Sequence, residues 1–152
     1  MGIIGILLAI AGISGRAWLD QYRVEKQTKE MYVDLLSARA RAMQRSRMHF
    51  VELTDTRYTV YEDTNTGPDG NETLEPALDT QVVRKDINPL YAIAWNNGVA
   101  PITFDTRGLI SPARSVWVSS DFGAANNCIV IATTRILMGA WNGATSTCVT
   151  QQ

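Results

Sequence analysis

The sequence predicts an α+β protein in which one long N-terminal helix packs on an antiparallel β head. Three observations predict this fold. Residues 2–13 are apolar and uncharged, and residues 16–49 contain neither Gly nor Pro. From residue 50 onward, β-branched and aromatic residues alternate with polar ones at the period of a strand. We therefore expect a helix over residues 1–49 and a β-rich head over residues 50–152.

Length and charge narrow the class of protein. The chain has 152 residues, of which 45% are apolar and 19% are charged, so it can bury a core as a single domain. Residues 1–49 hold eight Lys or Arg and four Asp or Glu, whereas residues 50–152 hold six and eleven. This charge difference supports the division into a basic helix and an acidic head. The overall net charge of -1 argues against a protein that coats nucleic acid.

The helix has an apolar half, residues 1–15, and an amphipathic half, residues 16–49. A helix of about 18–20 apolar residues is needed to cross a bilayer, so the run at 2–13 is too short alone. This run is either the apolar core of a cleaved secretory signal, a buried helix, or the last part of a longer apolar segment that starts ahead of Met1. The last interpretation is favoured because the run leads directly into a helical pattern with no cleavage site between them.

The amphipathic half carries one apolar stripe at helical spacing, and we expect polar and charged residues to cover its other side. The stripe consists of Val24, Thr28, Met31, Leu35, Ala38 and Ala42. Together the halves form a helix of about 45 residues, roughly 70 Å long at 1.5 Å per residue. A head of this size cannot cover so long a helix, so the apolar half must contact lipid or other copies. The residues expected to do so are Ile3, Ile4, Ile6, Leu7, Leu8 and Ile10.

The head should consist of short antiparallel strands. The predicted strands are 48–54, 57–62, 80–85, 91–95, 101–104, 115–119, 128–133 and 135–141. The first two should form a hairpin at Asp55 and Thr56, and the last two a hairpin at Thr133 and Thr134. Residues 62–79 form a polar loop rich in Gly, Pro, Asn and Asp, and residues 142–152 form a polar tail. Trp95, Trp117 and Trp141 are expected to pack between the sheet and the helix stripe.

Four segments resemble a known family. IIGILLAIA at 3–11 is similar to the N-terminal segment of type IV pilins and type II secretion pseudopilins. LLSARARAMQRSRMHFVEL at 35–53 and YTVYEDTNTGPDGNETLEP at 58–76 resemble FimT/GspH-like minor pilins, as does ITFDTRGLI at 102–110. By this alignment about nine residues, with the prepilin cleavage site and a usual glutamate, precede Met1. A helix-kinking proline usual in pilins is replaced by Gly12, Ile13 and Gly15, where the helix could kink or melt.

The resemblance implies a structural subunit and no enzyme activity. The chain would be a minor pilin or pseudopilin, processed by prepilin peptidase, methylated, and anchored in the inner membrane with a periplasmic head. It would then pack with other pilin or pseudopilin subunits in an envelope or surface filament. The pair Cys128 and Cys148 resembles the family's C-terminal disulfide, which a periplasmic compartment favours.

Other chemistry has weaker support in the sequence. Asp63, Asn65, Asp69 and Glu72 are hard oxygen ligands of the kind that bind calcium. An EF-hand beginning at Asp63 fails, however, because Pro68 and Leu74 stand where Gly and Glu are required. A loop without metal is therefore the main expectation, with a weak calcium site as the alternative and no other cofactor. The single His49 leaves no set of residues for nucleophilic catalysis.

Two alternative functions remain. The first is a minor pilin for DNA uptake, in which Arg107 and Arg114 would contact phosphates. It is disfavoured because residues 136–152, where such pilins carry basic residues, contain no Lys or Arg. The helix arginines surround the helix rather than lining one face, and contacts with acidic heads of neighbouring subunits suit them better. The second alternative is a membrane-anchored periplasmic module that binds a ligand.

Overall fold

A computed structural model describes residues 2–67, 70–120 and 123–150, with side chains from residue 16 onward. It contains one helix and ten strands within those residues, which confirms the α+β fold with a long N-terminal helix on an antiparallel β head. The elements are α1 (Gly2–Arg45), β1 (His49–Thr54), β2 (Arg57–Glu62), β3 (Thr80–Asp86), a 3-10 turn (Pro89–Tyr91), β4 (Ile93–Trp95), β5 (Ile102–Phe104), β6 (Ile110–Ser111), β7 (Arg114–Val118), β8 (Cys128–Ala132), β9 (Arg135–Asn142) and β10 (Thr147–Thr150).

The strands form two antiparallel sheets of five strands each. Sheet 1 has the order β3-β2-β1-β5-β6, and sheet 2 has the order β10-β9-β8-β7-β4. Both predicted hairpins are present, with Thr54 paired with Arg57 in one and Ala132 paired with Arg135 in the other. Strands β6 and β10 are absent from the sequence prediction. Part of the predicted polar tail is strand β10, because Thr147–Thr150 pairs with β9 and adds an edge to sheet 2.

The core lies between the helix and the inner faces of both sheets. The predicted stripe on α1 is buried, and Val24 and Ala42 near its two ends are completely inaccessible to solvent. The buried stripe packs in one cluster with Val51, Val60 and Ile102 of sheet 1 and with apolar residues of sheet 2. Sheet 2 contributes Ile93, Val116, Val118, Ile129, Ile131 and Ile136. Helical structure continues through residues 12–15, so this segment is not melted.

Polar bonds tie the helix to the head along its length. The hydroxyl of Tyr58 in β2 donates to Asp34 on the helix at 2.7 Å. Gln27 donates to the carbonyl oxygen of Tyr91 at 2.9 Å, and the Arg39 guanidinium donates to that of Gly108 at 2.8 Å. These bonds link the helix to sheet 1, to the 3-10 turn and to the β5–β6 turn. They fix the rotation of the helix on the head in addition to the apolar packing.

The helix ends in a Schellman motif. Ser46 adopts a φ of 51°, in the left-handed region, and the N–H of Arg47 bonds to the carbonyl oxygen of Ala42. Arg45 then pairs with Glu62 of β2, which is 5% exposed at its side chain, and joins the end of the helix to the first hairpin. The left-handed position held by Ser46 is usually occupied by glycine, since a Cβ is unfavourable in the left-handed conformation.

The three head tryptophans differ from the sequence prediction. Trp95 packs partly buried against the core, as expected. Trp117, however, lies between Val116 and Val118, whose side chains face the core, so alternation along β7 places Trp117 on the opposite face. It stacks there on Trp141 of β9. The prediction that Trp117 and Trp141 lie between sheet and helix is therefore wrong, because it ignored the period of two within the strand.

Replacing Ser46 by glycine should stabilise the protein. Ser46→Gly removes the Cβ from a left-handed residue, and we expect the free energy of unfolding to rise by about 1 kcal/mol. Ser46→Ala keeps a Cβ and serves as the matched control. Thermal unfolding of the full chain in detergent, followed by circular dichroism, measures both variants. Equal melting temperatures for the two would contradict this interpretation of the helix end.

The Tyr58–Asp34 bond should produce a stability loss at alkaline pH. Burial of Tyr58, followed by its hydrogen bond to Asp34 and the charge of that carboxylate, raises the pKa of the phenol in the folded protein. This group therefore contributes stability below the unfolded pKa of about 10, and loses it as pH rises above that value. Below pH 10, Tyr58→Phe should lower the free energy of unfolding by about 1–3 kcal/mol.

The difference between wild type and Tyr58→Phe should shrink above pH 10, by up to about 1.4 kcal/mol per pH unit. Urea unfolding at a series of pH values measures this difference and cancels the titration of the other groups. A difference that is independent of pH would show that the Tyr58 hydroxyl does not require its proton in the folded state.

Candidate functional site

An apolar stripe runs along the solvent side of the helix, on the side away from the buried stripe. We call it the outer stripe; it consists of Trp18, Tyr22, Val33, Leu36 and Met43. At 100° per residue these positions fall within roughly a quarter of the helix circumference. Trp18 is 65% exposed and Val33 is 56% exposed, and the Trp18 and Tyr22 rings stack with centroids 6.2 Å apart. The prediction that polar residues cover this side of the helix is therefore wrong in part.

Charged residues on and beside the outer stripe are matched within the helix. Lys29 pairs with Glu25 at 3.4 Å, and Lys26 pairs with Glu30 at 3.8 Å, in the i, i+4 arrangement. Such exposed pairs add little stability, but they neutralise the surface around the apolar side chains. A neighbouring apolar helix can therefore approach this side without having to provide counter-charges.

A groove of about 510 Å³ lies on the flank of the outer stripe, between the helix and β3. Its apolar walls include Tyr22 and Val33, and Lys85 from β3 forms its far side. The remaining lining is provided by the charged helix residues Glu25, Lys26, Lys29, Glu30 and Asp34. An open, shallow groove of this shape suits an elongated apolar surface better than an enclosed small molecule.

The apolar run extends the same helix toward its N-terminus. Ile3, Ile4, Ile6, Leu7, Leu8 and Ile10 lie within α1, and their side chains fall outside the described part of the structure. Over the described residues, no helix combines the length and apolar character needed to cross a membrane. The role predicted for these six residues in packing or membrane contact remains a prediction.

The structure contains the disulfide that the resemblance implied. Cys128 of β8 and Cys148 of β10 are bonded, with their Cα atoms 6.0 Å apart, although β9 lies between these strands in the sheet order. Gly139 of β9 makes this possible. A Cβ at residue 139 would overlap the backbone carbonyl oxygen of Val149 in β10. The missing side chain therefore lets β10 approach β9 closely enough for the sulfur atoms to meet.

The proposed calcium ligands serve mainly as loop supports. Asp63 is completely buried, and its carboxylate accepts the backbone N–H groups of Asn71 and Glu72. Asn65 donates its side-chain amide to Glu75, whereas Asp69 lies outside the described residues. Among the residues described, no three His, Cys, Asp or Glu side chains come together as a metal site. The geometry is that of a loop whose backbone donors are satisfied by carboxylates.

The two arginines considered for DNA contact occupy different environments. Arg107 is exposed and pairs with Asp105 at 3.0 Å. Arg114 is only 3% exposed; its guanidinium donates to the carbonyl oxygen of Ala100, and burial lowers the pKa of this side chain. The buried guanidinium of Arg114 is not presented to a phosphate backbone. The predicted pair therefore does not form a basic surface in this structure.

His49 and its neighbours form part of the junction between helix and head. His49 is completely buried in β1, and its Nδ1 lies 3.2 Å from the carbonyl oxygen of Arg47. Burial lowers the pKa of His49, although the bond to Arg47 and the charge of Glu62 act in the opposite direction. Glu62 is already paired with Arg45 and Arg47. The arrangement supports a structural junction rather than acid–base chemistry.

Restoring a side chain at residue 139 should disrupt the disulfide region. Gly139→Ala places a methyl group against the β10 backbone, and we expect a loss of about 2–3 kcal/mol in the free energy of unfolding. Gly143→Ala is the matched control, since a Cβ there meets no atom within 4 Å. Thiol labelling under non-reducing conditions reports the disulfide, and thermal unfolding reports stability. A Gly139→Ala protein as stable and as fully oxidised as the control would refute this role.

Comparisons with known proteins now identify the family. A family model described as "Type II transport protein GspH" matches residues 27–134. The fold is similar to the minor pseudopilin EpsH from the type 2 secretion system of Vibrio cholerae, with a TM-score of 0.56 and 10% sequence identity. That similarity covers 78% of this chain and 97% of EpsH. A search of curated protein sequences finds no match. The family match spans more than half of the chain, and the protein belongs to the GspH family of type II transport proteins.

Proposed function

We propose that this chain is a minor pseudopilin that packs through its helix into a filament of a type II secretion system. The observation that carries the proposal is the outer stripe, which leaves Trp18, Tyr22 and Val33 in solvent on a helix whose opposite side is buried. Aromatic and aliphatic side chains in such a row are unfavourable in water and indicate a surface that another molecule covers. The GspH family and the EpsH-like fold support a filament subunit as the context.

Assembly would exchange one apolar environment for another. Before assembly the apolar run at 2–13, together with any residues ahead of it, would sit in the inner membrane and hold the head in the periplasm. In the filament, the run and the outer stripe would contact helices of neighbouring subunits. Burying one Val, Leu or Phe side chain contributes about 1.5–3 kcal/mol, so a few such contacts offset much of the entropy lost on association. Processing by prepilin peptidase and methylation of the new N-terminus belong to the same proposal.

The alternatives receive less support from the geometry. DNA uptake would need accessible cations, whereas Arg114 is buried and Arg107 is paired with Asp105. A ligand-binding module would need an enclosed pocket, whereas the groove at the outer stripe is open and lined by ion pairs. A type IV pilus is the other filament to which such a subunit could belong, and the family match favours secretion.

A charge placed in the outer stripe should impair secretion. Val33→Lys introduces a cation into the proposed contact with a neighbouring helix, where its desolvation would not be compensated. We expect secretion to fall at least about tenfold, which corresponds to 1.4 kcal/mol. Val33→Thr keeps the size of the side chain at the same position without a charge, and should leave secretion within about twofold of wild type. Secretion of a native substrate by cells carrying each variant is the measurement.

A second arm follows the contact directly. A photo-crosslinking residue at position 33 should form adducts with other pilin-like subunits in secreting cells. Equal secretion by Val33→Lys and Val33→Thr, together with no adduct at position 33, would overturn the proposal. So would normal filament function after residues 2–13 are exchanged for an unrelated transmembrane segment, because a simple anchor tolerates that exchange.

A further inference from the structure

Sheet 2 carries a second apolar surface, on the side that faces away from the core. Strand alternation and the pairing of Trp117 with Cys128, and of Val130 with Leu137, place these side chains on one face. We call it the tryptophan face; it consists of Ala94, Trp117, Val130, Ala132, Leu137 and Trp141. All six are partly exposed. Neither the core cluster nor the helix contacts account for them.

The outer face of sheet 1 provides a direct contrast. There, the ends of β1, β2 and β3 carry Glu52, Arg57, Arg84 and Asp86, all exposed. An antiparallel sheet with one face on the core normally presents polar residues on the other, as sheet 1 does over this region. Among the residues described on the outer face of β4, β7, β8 and β9, the only charge is that of Arg135 at the rim. Sheet 2 departs from the usual pattern.

The tryptophan face is also preorganised. The rings of Trp117 and Trp141 are parallel within 4°, with centroids 3.7 Å apart. Trp117 is the cross-strand partner of Cys128, and Trp141 is the partner of Cys148, so the two tryptophans adjoin the residues of the disulfide. Side chains held in one conformation lose little entropy when a partner binds, and tryptophan is prominent among residues that dominate binding energy.

We propose that the tryptophan face docks the head of a neighbouring subunit of the same filament through an uncharged, apolar surface on that head. This inference rests on the proposed function. The scarcity of charge decides the chemistry of the partner: an ion laid against Val130 and Leu137 would lose its hydration, and Arg135 at the rim carries the only charge among the residues described on the outer faces of β4, β7, β8 and β9. The face therefore selects an apolar, uncharged surface. Its position on the far side of the sheet from α1 makes this contact separate from helix packing.

The size of the face indicates why the partner is a neighbour rather than a free protein. Four strands about 4.8 Å apart and about five residues long, at 3.3 Å per residue, cover roughly 300 Å². A standard stable interface buries about 800 Å² on each partner. The tryptophan face is too small to hold two freely diffusing proteins together. It suffices between chains that their helices already hold side by side, because the effective concentration there reaches the millimolar range.

Site-specific photo-crosslinking in secreting cells tests this proposal. A benzoylphenylalanine residue at position 137 of the full chain reports the tryptophan face, and one at position 84 on the charged face of sheet 1 is the matched control. We expect position 137 to form adducts with a pilin-like subunit at least about fivefold more than position 84. Adding Val130→Asp should abolish that adduct, whereas the uncharged Val130→Thr should preserve it. A non-reducing gel confirms that each variant forms the disulfide.

Each outcome of the crosslinking experiment either supports or overturns the proposed docking at the tryptophan face. A pilin-like partner at position 137, lost with Val130→Asp and kept with Val130→Thr, supports the proposal. Adducts only with a secreted substrate or another envelope protein, no excess over position 84, or indifference to Val130→Asp overturns it. If Val130→Asp does not form the disulfide, Ala94→Asp on edge strand β4 replaces it. Adducts at position 33 without adducts at position 137 would refute this inference alone, whereas their absence at position 33 would count against the proposed function itself.

Discussion

The packing of one helix stripe against two sheets is the interaction on which the rest of this structure depends. Met31 and Leu35 lie in the same buried cluster as Val51 of sheet 1 and Ile129 of sheet 2. Each sheet alone would leave its inner face in water, and the helix joins the two faces into one core. Because one side of the helix packs on the head, the opposite side faces away from the head, and the outer stripe lies there.

The helix packs on the head with one side and leaves its other side open to neighbouring molecules, which explains how a small head can belong to a larger assembly. The buried stripe has small residues at Ala38 and Ala42, which bring the helix close to the head, and polar anchors such as Tyr58–Asp34 fix its rotation. With that rotation fixed, Trp18 and Val33 point away from the head in a defined direction. A helix free to roll would not present a constant surface to its neighbours. The stability of the head therefore also serves the geometry of the proposed filament contact.

The C-terminal part of the head shows how backbone space can decide a covalent bond. Gly139 allows β10 to lie close to β9, and the Cys128–Cys148 bond then joins the strands on either side. Trp117 and Trp141 stack beside the same residues. One glycine thus supports the disulfide, the edge strand and the arrangement of the aromatic pair, although nothing in its immediate sequence sets it apart from Gly143.

The sequence by itself determined the features that depend on local periodicity: the long helix, its buried stripe from Val24 to Ala42, the two hairpins and the pilin-like motifs. Strand β10 was not predicted because Thr147–Thr150 is short and mostly polar. This segment becomes a strand through its pairing with β9. The outer stripe could have been found from the spacing of Trp18 with Tyr22 and of Val33 with Leu36. Only the tertiary structure decided which face of sheet 2 carries Trp117 and whether Arg114 is buried. Those outcomes depend on which distant segments cover each face, and a periodic pattern carries no information about that.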